Sequence, residues 1–292
     1  MRMINSHPKT VSLAFLLVAL SVTLNSCDMR NLQKEQAELK ILNQAVKKEY
    51  SQRHWDKRVQ AVSRITSYLS GKNKKQILLV QSSPEYSQLV DQLISFSHDV
   101  HGAVRIETLK AFSLIRPEKA YPRISEMALN DASGNVQWYA LKALALYQNE
   151  NSAQVFTDKL KSEDWVLREA SIIGILMLNI EYQKSNLLPV ICNAIEDPNE
   201  SVSGTALSLV TIREPEIYQS ITRVFRKKEN FSTKMLTALM RALNGFVLEA
   251  DIKKRVISCL THPDKNVRIL ALRVLKREKA LKKLRASSNS KK

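Results

Sequence analysis

The chain is short of the residues that build loops and cross-links. It has 6 glycines and 8 prolines among 292 residues, about 5% where average usage is roughly 12%. That scarcity excludes a collagen-like repeat and argues against a sandwich or barrel with a turn every few residues. It also leaves no glycine-rich cradle for phosphates: neither a Walker-type loop nor a Gly-x-Gly-x-x-Gly turn occurs, and there is no Gly-x-Ser-x-Gly nucleophile string. Three cysteines cannot make a disulfide framework. Aromatic residues are 6% of the chain and show no spacing suited to stacking nucleic-acid bases. Acidic residues are outnumbered 28 to 45, a net charge of +17. With 44% hydrophobic and 25% charged residues the composition is that of a folded protein, and helix is the leading expectation.

The long apolar run is Val11–Leu24, 14 residues preceded by Arg2 and Lys9. It is shorter than the roughly 18–20 residues a permanent membrane-spanning helix needs. It ends in Leu24-Asn25-Ser26-Cys27. This resembles the lipobox of bacterial lipoproteins, in which an aliphatic residue stands three before a cysteine and a small one just before it. The resemblance implies that residues 1–26 are a signal peptide, removed to leave a lipidated Cys27 as the first residue. Its acyl chains, palmitate among them, would then anchor the protein. An uncleaved anchor helix with Cys27 incidental to it is the alternative. Asp28 resembles the signal that retains enterobacterial lipoproteins in the inner membrane. The implied location is the cell envelope, on the exported side of a membrane, the inner one if the source is Gram-negative. Without residues 1–26 the charge is +15.

The remainder repeats. A polar turn, an aliphatic residue, often an arginine, then a small residue four positions after the aliphatic one recur at Val104, Val136, Leu167, Val202 and Val267. The spacings are 32, 31, 35 and 65 residues, the last being two periods. A degenerate copy fills that gap at Lys234–Ala238, and an earlier one sits at Trp55–Val59, with the insertion between it and Val104 read as a loop over Gly71–Pro84. Each period holds two helical stretches. Ile124, Met127 and Ala128 face one way on the first; Val136, Ala140, Ala143, Leu144 and Tyr147 share a face of the second. Such a pair cannot bury its apolar face alone, so stacking neighbours supply the stability.

This pattern resembles HEAT repeats, with a period on the short side, near that of phycobilin-lyase-type arrays. The implied fold class is all-α: an α-solenoid of stacked antiparallel helix pairs over residues 51–275, with a tether and spacer helix at 27–50 and a basic helix end and tail at 276–292. The resemblance also assigns the turn acids Asp99, Asp131, Asp164, Asp197 and Asp264, with Arg105, Arg168 and Arg268, to ladders between repeats.

Chemistry is sparse. His98-Asp99-x-His101 has zinc- or copper-type donors, but it lies on a repeat turn, where Asp99 reads as a helix cap. No His-Glu pair of the kind that holds iron in some HEAT-repeat enzymes occurs. Cys192 and Cys259 lie in apolar strings two repeats apart, too far for a disulfide, and read as core residues. Trp55, Trp138 and Trp165 recur near the starts of second helices and read as packing between repeats. No catalytic residue, metal ligand or cofactor is expected.

Residues 276–292 hold eight basic residues against Glu278. Lys276, Arg277, Lys279, Lys282, Lys283 and Arg285 fall on a helix expected to end near Arg285. They form a candidate basic surface. The reading is a membrane-tethered, non-enzymatic scaffold for cell-envelope proteins. Its rivals are a binder of an anionic envelope polymer or lipid, and a lyase-type enzyme using a HEAT groove. Export makes nucleic acid an unlikely ligand despite the charge.

Overall fold

A computed structural model describes residues 26–227 and 230–289, without the side chains of 26–28, 285 and 287–289. The apolar run Val11–Leu24 lies outside the described residues. No described helix is long and apolar enough to cross a membrane, and the described residues contain no strand. The chain divides into two compact units, Met1–Ala120 and Tyr121–Lys292.

The first unit contains α1 (Ser26–Tyr50), α2 (Trp55–Ser70), α3 (Lys74–Gln81), α4 (Pro84–Phe96) and α5 (Gly102–Ile115). Helix α1 packs on α2, α3 and α4, and α2 packs broadly on α5. The region read as a spacer is therefore part of this body. Its buried stripe is Glu35, Leu39, Asn43 and Val46, one helix face in which every other member is polar. The polar members have partners: Glu35 takes Tyr68 Oη at 2.7 Å and Lys72 Nζ at 2.7 Å, and Asn43 Nδ2 donates to the Glu85 carbonyl at 3.2 Å, while Asn43 Oδ1 is buried without a hydrogen bond. The insertion at Gly71–Pro84 is no loop. Asn73 closes a capping box with Gln76 and starts α3, and Pro84 sits in the first turn of α4, where its missing N–H costs nothing.

Among its described residues the second unit has five helix pairs: α6 (Tyr121–Asn130) with α7 (Gly134–Tyr147), α8 (Ala153–Lys159) with α9 (Trp165–Met177), α10 (Ile180–Tyr182) and α11 (Leu188–Ile195) with α12 (Glu200–Leu209), α13 (Pro215–Lys227) with α14 (Thr233–Leu243), and α15 (Ala250–Ser258) with α16 (Lys265–Asn289). A π-turn, Gln183–Leu187, joins α10 to α11. The second helices α7, α9, α12, α14 and α16 pack each on the next, so they form one layer and the first helices another.

One register runs through the second helices. Counting the first helical residue as N1, the N3 and N7 positions hold Val104 and Thr108, Val136 and Ala140, Leu167 and Ser171, Val202 and Ala206, Met235 and Leu239, Val267 and Ala271, all buried. The hydroxyls among them bond inside their own helix: Thr108 Oγ1 to the Val104 carbonyl at 2.9 Å, Ser171 Oγ to that of Leu167 at 2.7 Å. Two sequence assignments shift. Ser232 caps α14 through the Met235 amide, so the anchor is Met235, one residue past Lys234, and Leu239 takes the small-residue place. In α2 the N3 position is Lys57 and the small residue is the buried Ala61; Val59 is not the anchor. The final helix runs to Asn289, past Arg285. Its buried stripe, Val267, Ala271 and Val274, continues with Glu278, and Leu284 is 64% exposed.

Glycine scarcity leaves a mark at helix ends. Gln148 closes α7 in the left-handed region at φ 51°, where a Cβ costs roughly 1–2 kcal/mol. Gln148→Gly should raise stability by about 0.5–1 kcal/mol after the entropy cost of glycine, measured as an upward shift of the urea midpoint.

Candidate functional site

The turn acids and helix arginines build the frame on which any site must rest. Arginine at N4 of a second helix folds back so that Nη1 meets the carbonyls five and six residues earlier. Arg58 does so at 2.7 and 3.5 Å, Arg105 at 3.1 and 2.8 Å, Arg168 at 3.0 and 2.9 Å, and Arg268 at 2.6 and 2.7 Å. The other edge of the guanidinium can then grip the next turn. Arg58 Nε and Nη2 clasp Asp99 at 2.6 and 3.0 Å, and Arg168 clasps Asp197 at 2.8 and 3.0 Å. The hydrogen bond that it donates to Asp197 outweighs desolvation and holds the Arg168 guanidinium above its usual range. Asp164 and Asp264 have another task, since each accepts from the first-turn amides of its own helix. Arg58–Asp99 and Arg168–Asp197 are thus rungs of the ladder; Arg268 has no carboxylate partner among the described residues.

The histidine cluster is absorbed by the same frame. Asp99 is buried, accepting from Arg58, from Tyr50 Oη at 2.6 Å and from the His101 amide at 2.8 Å. His101, rather than Asp99, caps α5 through the Ala103 amide. Its ring stacks on Trp55 at 4.1 Å. Among the described residues no three His, Cys, Asp or Glu side chains gather as a metal site. Cys192 and Cys259 are buried free thiols, and burial pushes both up. Of the tryptophans, Trp138 is half-buried, while Trp55 is 48% and Trp165 41% exposed; Trp55 still packs on the next repeat through His101.

A groove opens on the layer of second helices in the second unit, with a volume of about 590 Å³. Three successive second helices line it: α12 contributes Ser208; α14 contributes Thr233, Lys234, Thr237 and Arg241; α16 contributes Asn266, Ile269, Leu270 and Arg273, with Asp264 from the turn before it. Ser208, Arg241 and Arg273 occupy the same N9 place on their helices. They stand 33 and 32 residues apart in sequence and one helix apart in the stack. The exposed cations Lys234, Arg241 and Arg273 face no carboxylate partner in any ion pair among the described residues. The sole acid in the lining, Asp264, is turned to the amides of Asn266 and Val267. The groove therefore offers three cations, three hydroxyls and an amide over an aliphatic floor, a set equipped to hold an anionic ligand.

The sequence-derived basic surface is elsewhere, farther along α16. Lys276, Arg277, Lys279, Lys282 and Lys283 are exposed; the side chains of Arg285, Cys27 and Asp28 lie outside the described residues. Lys282 and Lys253 both pair with Glu278. Burial would raise the Glu278 carboxyl, and the two lysines together bring it below its usual range.

The groove residues were missed because the α14 register was misplaced by one. With Lys234 as anchor, Arg241 falls in the column buried elsewhere as Ala143 and Val274; with Met235 it falls beside Ser208 and Arg273.

Helix pairs stacked through shared ladders are the architecture of an all-α solenoid. Comparison with known proteins bears this out: residues 87–176 match the family model described as HEAT repeats. An engineered protein of known structure is 15% identical over 90% of this chain and 78% of its own, with a TM-score of 0.54. A designed armadillo repeat protein solved in complex with the peptide (KR)4 is 16% identical over 81% and 99%, with a TM-score of 0.47. No curated protein matches the chain. At these identities the structural likeness concerns the fold alone. The chain is an all-α repeat solenoid whose residues 87–176 match HEAT repeats, a fold suited to a protein-interaction role.

Proposed function

We propose that the protein is a lipid-anchored scaffold of the cell envelope, non-enzymatic, that docks a protein partner in the groove between α12, α14 and α16. The observation that carries the docking reading is the row of unpaired cations held one helix apart on the repeat layer. A repeat array presents such a row without catalytic machinery, since stacking alone sets the spacing. A photo-crosslinking residue placed at Ser208 should form adducts with envelope proteins, and one at the exposed Gln219 of α13 should not. Equal yields at the two positions would remove the groove from the proposal.

The tether rests on the lipobox-like Leu24–Cys27 string, with Asp28 as the inner-membrane sorting residue. Cys27→Ala should leave an uncleaved precursor that takes up no labelled palmitate. Labelling equal to the wild type would end the lipoprotein reading. The first buried residue of helix α1 is Glu35, eight residues after Cys27, so a lipid there would hold the first unit near the bilayer, on a lever of a few helical turns.

A second reading is favoured by one observation. Lys279 and Lys283 rim a cradle of about 630 Å³ whose apolar wall includes Ile257, Leu275 and Ala286. An anionic lipid fits that chemistry, and each basic residue near an anionic surface is worth about 1 kcal/mol. Lys276, Lys279 and Lys283 changed together to serine should lower sedimentation with anionic vesicles at low salt. Those positions are preferred to truncation at Leu275, which would remove Glu278 from Lys253.

A further inference from the structure

We infer that the groove selects an extended acidic segment of its partner protein, an inference that rests on the docking reading above and names the partner's chemistry. The charge argument is direct. Lys234, Arg241 and Arg273 are exposed and without carboxylate partners, and the one acid in the lining is spent on backbone amides. A basic or neutral segment would leave three cations facing it uncompensated. The geometric argument follows from the stack. Neighbouring helices pack at about 8–10 Å, so the N9 guanidiniums of α14 and α16 start from backbones about that far apart. A polyproline-type extended chain rises about 3.1 Å per residue with three residues per turn. Carboxylates three residues apart then lie on one side at about 9 Å, matching the repeat. Ser208, Thr233 and Asn266 add hydroxyl and amide groups that can bond a segment's own backbone, whose N–H and C=O groups are free in this conformation.

The lining chemistry disfavours the other polyanions. Single-stranded nucleic acid is held on aromatic platforms interleaved with cations, and no aromatic residue lines this groove. The apolar floor, Ile269 and Leu270, is small beside the three cations and three hydroxyls, so it gives acyl chains little to bury in.

The test uses the full chain in neutral detergent and a labelled twelve-residue peptide of Glu-Pro-Pro repeats, with the Lys-Pro-Pro peptide as its opposite. The acidic peptide should bind, and weaken at least tenfold between 50 and 300 mM salt, on the order expected for a few paired charges. Arg241→Glu with Arg273→Glu should lower its affinity at least tenfold, and Arg241→Gln with Arg273→Gln should lower it less, with the helical circular dichroism unchanged in both. Lys279→Glu with Lys283→Glu should leave it within twofold. Absence of binding, equal binding of the lysine peptide, or an unchanged affinity in the arginine variants would overturn the inference. So would an oligothymidine or phosphatidylglycerol micelle that displaces the peptide and itself requires Arg241 and Arg273, since the groove would then be a site for that polyanion. If Ser208 crosslinks to a protein while the acidic peptide fails to bind, docking stands and the acidic preference falls. If both fail, the docking reading goes with it.

Discussion

Asp99→Ala should destabilise the first unit by about 3 kcal/mol. The carboxylate is the single acceptor for Arg58 Nε and Nη2, Tyr50 Oη and the His101 amide. Its side chain is 4% exposed and that of Arg58 14%. Removing one member of a buried ion pair typically costs 3–5 kcal/mol, because the other charge stays behind unpaired. Arg58 keeps two carbonyl contacts through Nη1, which favours the low end. The change joins three elements, since α1 ends at Tyr50 and α2 carries Arg58. Amide exchange across 26–120 should therefore accelerate as a block. Acid supplies an independent arm. Burial would raise the Asp99 carboxyl, but the bonds from Arg58, Tyr50 and the His101 amide outweigh it and set it below its ordinary value. A depressed carboxyl contributes fully above its unfolded pKa, about 3.9, and the contribution is lost as pH falls through the folded value. The gap between wild type and Asp99→Ala should be constant from pH 7 to about 5 and close below about 4. A gap that persists unchanged at low pH would mean that the aspartate acts through shape and not charge.

Asp99 also shows why the fold was easier to read than the contacts. Period, helix pairing and the buried aliphatic columns depend on one residue and its neighbours at three and four places, information that sequence carries locally. The Ala140, Ser171, Ala206 and Ala271 positions were legible for that reason. The pairing of Asp99 needed Arg58, 41 residues away across an insertion, and nothing local ties the two. Helix α1 was hard for a different reason. Glu35 and Asn43 sit in its buried stripe, so its sequence looks only weakly amphipathic, and the partners that make those residues admissible, Tyr68, Lys72 and the Glu85 carbonyl, come from α2, the turn after it and α4. The Gly71–Pro84 segment reads as a loop because glycine and proline bound it. Inside, the Asn73–Gln76 capping box is a helix-start signal that composition alone conceals.

The groove was nearer to being legible than the ladder. Ser208, Arg241 and Arg273 follow from the repeat once the register is right, and the signal was Ser232 three residues before Met235, an N-cap. Alignment on the small residue instead chose Ala238 over Leu239. In that repeat a leucine fills the close-approach place, and its neighbour one turn earlier, Met235, lies against Gly204, whose Cβ position would meet Met235 Sδ at an ordinary contact distance of 3.7 Å.

A second large effect is expected where a first and a second helix meet most closely. In an exposed helix, Gly174→Ala would stabilise by up to about 1 kcal/mol. In α9 it should instead destabilise the second unit by about 2 kcal/mol. A Cβ at Gly174 would stand 2.4 Å from Cε1 and Cζ of Phe156, and that ring is fully buried. The clash is with an aromatic edge that has no open side to turn into, so α8 or α9 must shift, and overpacking of this kind costs about 1–3 kcal/mol. The equivalent N10 places on α7 and α14 hold Ala143 and Ala242, also buried; at α9 even alanine is too large because the facing residue is phenylalanine. Phe156→Leu alone should destabilise by leaving a void. Combined with Gly174→Ala it should cost less than the sum of the two, with a favourable coupling of about 1–2 kcal/mol, read from urea midpoints of the four proteins. Additive losses would mean that the Cβ and the ring do not compete for the same space. A Gly174→Ala protein more stable than the wild type would remove the close approach altogether.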